Sequence, residues 1–187
     1  MLRIDLEKSL TNSDLDLKKL MPFQRILLTT DGTVTEILEA QFGEQINLIK
    51  LFQEKQISDT DIPYLEISSG TETLVRKILL QGSETESNYI YAESILVPEH
   101  LEASLQEGLL NTNNPLGRLM IEARTETFRE ILSCKKEPAE AAGKYFDRIP
   151  DSTLISRTYR IYARQKPIIL ITEKFPETAF RNGPEAL

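Results

Sequence analysis

The sequence predicts an α+β fold, a six-stranded antiparallel sheet with helices on one side. Three observations predict it. Runs rich in β-forming residues recur along the chain, and most are joined by short polar turns of the hairpin kind. Helix starts with readable caps fall between these runs without alternating with them one for one. No repeat, low-complexity linker or composition shift divides the 187 residues, so they read as one domain, with 1–20 and 181–187 peripheral.

The elements follow in order. The first ~20 residues are polar with scattered leucines, and the spacing predicts a short helix over Ser13–Leu20. Thr33-Val34-Thr35-Glu36 has the form of a capping box, in which Thr33 accepts from the backbone three residues on and Glu36 reaches back. Ile37, Leu38 and Phe42 then share a helical face. Asn47–Ile57 reads as a strand, and Ser58–Gly70 as a polar connection containing Pro63. Thr71–Gln81 and Asn88–Val97 read as a hairpin through Gly82–Ser87. Pro98 opens a helix over Glu99–Glu107 that Gly108 stops. Asn114-Pro115 marks the next start, with Asn114 at the cap, Pro115 in the first turn and Leu116–Ile121 following. Thr125–Lys135 reads as a strand and Pro138–Tyr145 as a short Ala-rich helix. Leu154–Arg164 and Pro167–Phe175 form a last hairpin around Arg164-Gln165-Lys166. The tail, Arg181–Leu187, contains Gly and Pro and is expected to fray.

Composition narrows the function. Hydrophobic residues make up 40 % and charged residues 27 %, as in an ordinary globular domain. A net charge of −7 argues against nucleic acid as a partner, which needs a basic patch. It leaves an anionic substrate open, because a local arginine can dominate a pocket. The one cysteine, Cys134, cannot form an internal disulfide and suits a reducing compartment. The one histidine, His100, excludes a multi-histidine metal site and is expected at the surface. The N-terminus has no apolar secretory region, and no stretch approaches the ~18 apolar residues of a membrane span. A cytoplasmic protein is therefore expected. Gly-rich phosphate loops, CxxC, HExxH and GxSxG are absent, and Cys134 has no histidine near it in sequence to activate it. Asp31-Gly32-Thr33 is read as a turn feeding the capping box.

Two charges interrupt apolar strands: Arg76 within Leu74–Leu80, and Glu173 within Lys166–Pro176. A buried charge is costly unless paired, so each needs a reason. The bland reading pairs Arg76 with Glu93 or points it at solvent, and puts Glu173 on an exposed edge beside Lys174 or Arg160. The functional reading uses Arg76 as a planar fork for a carboxylate and Glu173 as an acceptor or proton carrier. The helix starts at Val34-Thr35 and Leu116-Gly117 offer unpaired N–H groups, which bind anions. Gly117 permits close approach of a ligand or of another backbone. Were both starts to converge on Arg76, one guanidinium and two amides would hold a carboxylate. Arg118 and Arg157 either serve a second carboxylate or make surface ion pairs.

Taken together, Leu74-Val75-Arg76-Lys77-Ile78-Leu79-Leu80, Pro115-Leu116-Gly117-Arg118, and Lys166-Pro167 with Leu170-Ile171-Thr172-Glu173-Lys174-Phe175-Pro176 resemble the chorismate pyruvate-lyases in order and spacing. Leu27-Leu28-Thr29-Thr30-Asp31-Gly32-Thr33-Val34-Thr35 is similar to the branch found in cyanobacteria, archaea and mycobacteria. The likeness runs from about Phe23 to Pro176. It implies a six-stranded antiparallel sheet with the ligand buried beneath helical flaps. It implies that Arg76 anchors the ring carboxylate and that Glu173 faces the product hydroxyl. The amides that hold the carboxylate would fall on Leu116 and on Val34, with Thr33 and Thr35 the neighbouring alternatives. The implied reaction turns chorismate into 4-hydroxybenzoate and pyruvate in a monomeric enzyme without metal or organic cofactor. The competing reading is a sensor of small aromatic acids, since effector domains of some transcription regulators share this fold. Those carry a winged helix in the same chain, and the ~20 residues before the likeness are too few and not basic.

Overall fold

The computed structural model describes residues 3–11, 13, 15–112, 114–146 and 152–180. The helices are α1 (Ile4–Thr11), α2 (Pro22–Thr29), α3 (Val34–Phe42), α4 (Ala103–Asn111) and α5 (Leu116–Glu122). The strands are β1 (Ile46–Ile57), β2 (Glu72–Gly82), β3 (Asn88–Leu96), β4 (Phe128–Pro138), β5 (Thr153–Ala163) and β6 (Lys166–Pro176). They form one six-stranded sheet in the order β1-β2-β3-β6-β5-β4. Every neighbouring pair is antiparallel. The α+β expectation therefore holds. The last strand returns to the middle of the sheet, because β6 lies between β3 and β5. That position overturns the edge-strand reading of Glu173.

The strands alternate, and alternation sorts their side chains between two surfaces. One face meets the helices. Its inward residues, among them Leu80, Ala92, Ile131, Ile155, Tyr159, Ile171 and Phe175, join Phe23, Leu28, Leu38, Leu105 and Leu119 of the helices in one apolar cluster. The other face is mixed, with Ile95 and Leu170 packed against Leu65, Ile67 and Val97 in a second apolar cluster beside charged pairs. It carries the Lys77–Glu93 pair at 3.7 Å, Arg160–Glu130 at 2.7 Å and Lys174–Glu137 at 2.7 Å. Lys77 therefore takes the Glu93 partner that the bland reading gave to Arg76, because the two neighbours point to opposite faces.

Several local expectations change. The helix placed over Ser13–Leu20 is instead α1, further upstream, followed by a single 3-10 turn at Leu17–Lys19; Asp14 lies outside the described residues. The sequence reading passed over α2, although Pro22 stands in its first turn and Leu27 and Leu28 lie on its buried side. Gln24 pins α2 to the end of the chain by donating to the carbonyls of Glu177 and Ala179. Pro98 opens only a 3-10 turn, and α4 begins at Ala103 and runs through Gly108. Gly108 does not stop the helix. It makes room, since a Cβ there would lie 2.8 Å from Leu119 Cδ2 of α5. Pro115, one residue later than expected, is the cap of α5. Pro138–Tyr145 divides into the end of β4 and a 3-10 segment, Glu140–Phe146. His100 is largely covered and its Nδ1 lies 3.0 Å from the carbonyl oxygen of Pro167. The tail Arg181–Leu187 lies outside the described residues.

Candidate active site

The sheet register places the two charges. Arg76 stands opposite Ser94, Ser94 opposite Ile171, and Ile171 opposite Tyr159, forming one rung across four strands. The adjacent rung runs Ile78, Ala92, Glu173, Arg157. Residues directly opposite share a face, so all of these point toward the helices. Arg76 and Glu173 are two strands apart, roughly 10 Å in the hydrogen-bonding direction.

Between them lies a cavity containing about 660 Å³ of space not filled by protein, part of it open to solvent. Its floor is the sheet, through Arg76, Ile78, Ala92, Ser94, Tyr159, Ile171 and Glu173. Its roof is the start of α3, through Thr33, Val34 and Thr35, and the start of α5, through Pro115, Leu116, Gly117 and Met120. Arg76, Glu173, Val34, Leu116 and Gly117, five of the residues singled out from the sequence, line this one cavity, whereas Arg118 and Arg157 do not.

The capping box does not form. Thr33 makes no side-chain hydrogen bond to its helix and contributes only its carbonyl, to Ile37 at 3.2 Å. Its side chain turns toward Gly117, where a Cβ would fall 2.5 Å from Thr33 Cγ2. The two helix starts thus meet at a Thr33–Gly117 contact that only glycine permits. Gly117 serves the approach of another element, one of its two expected uses. Neither α3 nor α5 has a side-chain cap, so their first N–H groups are left for water or a ligand.

The two buried charges are in opposite states. Arg76 is 3 % exposed, and its Nε and one terminal nitrogen have no hydrogen-bond partner. Burial pushes its pKa down to about 10, which still leaves it charged at neutral pH. Burial of Lys50, and to a lesser degree the charge of Arg76, push that lysine's pKa down as well. Glu173 is fully engaged. Arg157 Nη2 donates to its Oε2 at 2.7 Å, and the Tyr159 hydroxyl donates to Oε1 at 3.0 Å.

Arg157, read from sequence as a surface ion pair or a ligand for a second carboxylate, is 2 % exposed. Its other terminal nitrogen donates to the Thr30 carbonyl at 2.9 Å, and the guanidinium lies 4.6 Å from the centroid of the Tyr159 ring. Burial pulls the Arg157 pKa down, but the charge and hydrogen bond of Glu173 together with the neighbouring Tyr159 and Cys134 outweigh it, and the net shift is upward. Burial and the same carboxylate push the Tyr159 phenol up. Arg118, by contrast, is a half-exposed partner of Glu39 at 3.3 Å and lies outside the cavity lining. Tyr159, Ser94 and Arg129 line the cavity and were not singled out from the sequence.

A cavity on one face of an antiparallel sheet, roofed by two helix starts and lined by an unpaired guanidinium, has the form of a small-molecule site. The chain belongs to the chorismate pyruvate-lyase family of the Rv2949c-like type, whose model matches residues 28–182. A chorismate pyruvate-lyase of Mycobacterium leprae is 31 % identical over 171 residues, covering 90 % of this chain and 81 % of that one. One from Mycobacterium tuberculosis is 27 % identical over 180 residues, covering 92 % and 88 %. Among solved structures, PhnF of Mycobacterium smegmatis matches with a TM-score of 0.62 at 15 % identity, covering 79 % of this chain. This chain spans only 64 % of that protein's length. The effector domain of PhnF matches with a TM-score of 0.59 at 15 % identity and is spanned to 88 %. At that identity these structures share the fold alone. No helix among the described residues is long and apolar enough to cross a membrane.

Proposed function

We propose that this protein is a chorismate pyruvate-lyase that converts chorismate into 4-hydroxybenzoate and pyruvate. The observation that carries the reading is Arg76, a buried cation without a partner at one end of a cavity whose other end is a held carboxylate, Glu173. An unpaired buried charge is unfavourable in the empty protein and becomes favourable once an anion neutralises it. The ring carboxylate is placed on Arg76, with the N–H groups of Leu116 and Val34 completing its hydrogen bonds. Thr33 and Thr35 line the same wall. The ring then lies over Ile78, Ala92 and Ile171, and the hydroxyl end approaches Glu173.

In this pose the C4–H bond breaks and its electron pair enters the ring. The C3–O ether bond breaks, and the enolpyruvyl group leaves with that pair. The methylene carbon of the leaving group gains a proton to give pyruvate, so proton and electron counts balance. Aromatisation drives the step, and the reading assigns it no metal or organic cofactor. Glu173 carries the proton from C4, or it orients the hydroxyl while hydrogen passes directly to the methylene. Arg157 and Tyr159 fix the carboxylate in either case, which serves positioning. A buried product held by a charge-assisted pair leaves slowly, so 4-hydroxybenzoate is expected to inhibit. The proposed setting is a monomer in a reducing cytoplasm, which suits the single buried Cys134.

The test is incubation of the purified protein with chorismate while 4-hydroxybenzoate and pyruvate are measured. Equal amounts of both support the lyase. Tight binding of 4-hydroxybenzoate without turnover would reject it in favour of a sensor.

A further inference from the structure

The cavity carries more positive charge than one carboxylate needs. The charged side chains among its described lining residues are Arg76, Arg129 and Glu173. Glu173 is neutralised by Arg157 at 2.7 Å. Two cations remain, one at each end of the floor. Arg129, on β4, stands opposite Ile161, one rung beyond Tyr159 and on the side away from Glu173. Opposite residues share a face, so Arg129 points to the cavity side of the sheet. Its charge reaches Tyr159, where it favours the phenolate. No carboxylate among the described residues pairs with it, and its Nε is buried without a hydrogen-bond partner. One terminal nitrogen donates to the backbone carbonyl of Asp31, whose own carboxylate is taken by Arg3. Arg129 also lines a shallow cleft with Gly32, Thr33, Gly117 and Arg124, which continues the cavity outward.

Away from Arg76 the cavity lining therefore carries two charged groups, the Glu173 carboxylate and the Arg129 guanidinium, about two rungs apart, roughly 14 Å along the strands and shortened by the reach of both side chains. We propose that Arg129 holds a second carboxylate of a dianionic ligand. On the lyase reading, on which this assignment rests, that group is the enolpyruvyl carboxylate of chorismate. Arg129 then determines specificity for the dicarboxylate substrate over the monocarboxylate product. Arg76 grips both, whereas Arg129 releases its hold once pyruvate has left.

The experiment compares wild type with Arg129→Ala in binding two inert probes, 3-(carboxymethoxy)benzoate and benzoate, and in chorismate kinetics. The dicarboxylate is expected to bind wild type more tightly than benzoate. Arg129→Ala should weaken it roughly 10- to 100-fold, the worth of one hydrogen-bonded charge, and leave benzoate within about two-fold. KM for chorismate should rise by a similar factor with little change in kcat, as for loss of uniform binding. Arg129→Lys should recover part of the preference, and Arg129→Gln serves the same comparison should the alanine variant unfold. Equal weakening of both probes, or of neither, overturns the assignment. If wild type fails to turn over chorismate yet loses its dicarboxylate preference on substitution, the lyase reading falls and Arg129 stands. If turnover is normal and the variant keeps both KM and preference, Arg129 falls and the lyase reading stands.

Discussion

The two ends of the cavity floor are built by opposite rules. At one end Arg76 is buried with nitrogens left unpaired. At the other Glu173 is buried with both oxygens bonded, to Arg157 and Tyr159. The sheet supplies both from the same face, so the difference lies in what surrounds them. A charge satisfied within the protein gains little from a ligand and keeps its geometry. A charge left unsatisfied raises the energy of the empty protein, and that energy is returned on binding. The comparison assigns affinity to the Arg76 end and orientation to the Glu173 end.

The largest effect that can break this comparison is on turnover. Glu173→Gln keeps the shape and the bond from Tyr159, so the fold should persist. If the carboxylate carries the C4 proton, kcat should fall about 10²- to 10⁴-fold in single-turnover assays. A fall of less than about ten-fold would reduce Glu173 to an orienting group and favour direct hydrogen transfer.

Next is stability at the paired end. Arg157→Met leaves the Glu173 carboxylate buried and uncompensated, and urea unfolding should show a loss of about 3–5 kcal/mol. Adding Glu173→Gln to Arg157→Met should recover most of it, since neither charge then remains.

The unpaired end should respond with the opposite sign. Arg76→Met removes a buried charge that has no partner, so the empty protein should gain on the order of 1–3 kcal/mol. The same variant should lose 4-hydroxybenzoate affinity by roughly 10- to 100-fold in calorimetric titration. Gain in stability with loss of binding is the signature of a site held in readiness. Loss of both would mean that Arg76 is structural.

The smallest effect concerns the roof that both ends share. Gly117→Ala drives a Cβ to 2.5 Å from Thr33 Cγ2, and overpacking of this kind costs about 1–3 kcal/mol. Thr33→Ala in the same chain should restore part of the stability and of the ligand affinity. If the double variant is no better than Gly117→Ala alone, the helix starts are not coupled through this contact.

Much of the fold was readable because its signals are local. Asn88–Val97 matches β3 at Asn88–Leu96, and the last hairpin matches β5 and β6 within a residue or so. Arg76 and Glu173 stood out as charges amid apolar strand residues, but strand pattern alone favoured surface ion pairs, and it was the helix starts and the ordered motifs beside them that marked a site. Helix ends were less readable. Thr33 and Glu36 had the right spacing for a capping box, yet Thr33 turned to Gly117, about eighty residues away in the chain. Gly108 looked like a stop and is a packing site for α5. In each case a contact distant in sequence outweighed a local preference worth only about 1 kcal/mol.

By itself, the sequence determined the strands, the apolar face and the two charges that apolar surroundings make conspicuous, because periodicity and composition act over a few residues. Only the tertiary structure decided which charge is paired. The partnership of Glu173 with Arg157 follows from the β5–β6 register, and the position of Arg129 beyond Tyr159 follows from the β4–β5 register. Register is fixed by the packing of the whole sheet against its helices, so no single segment carries it.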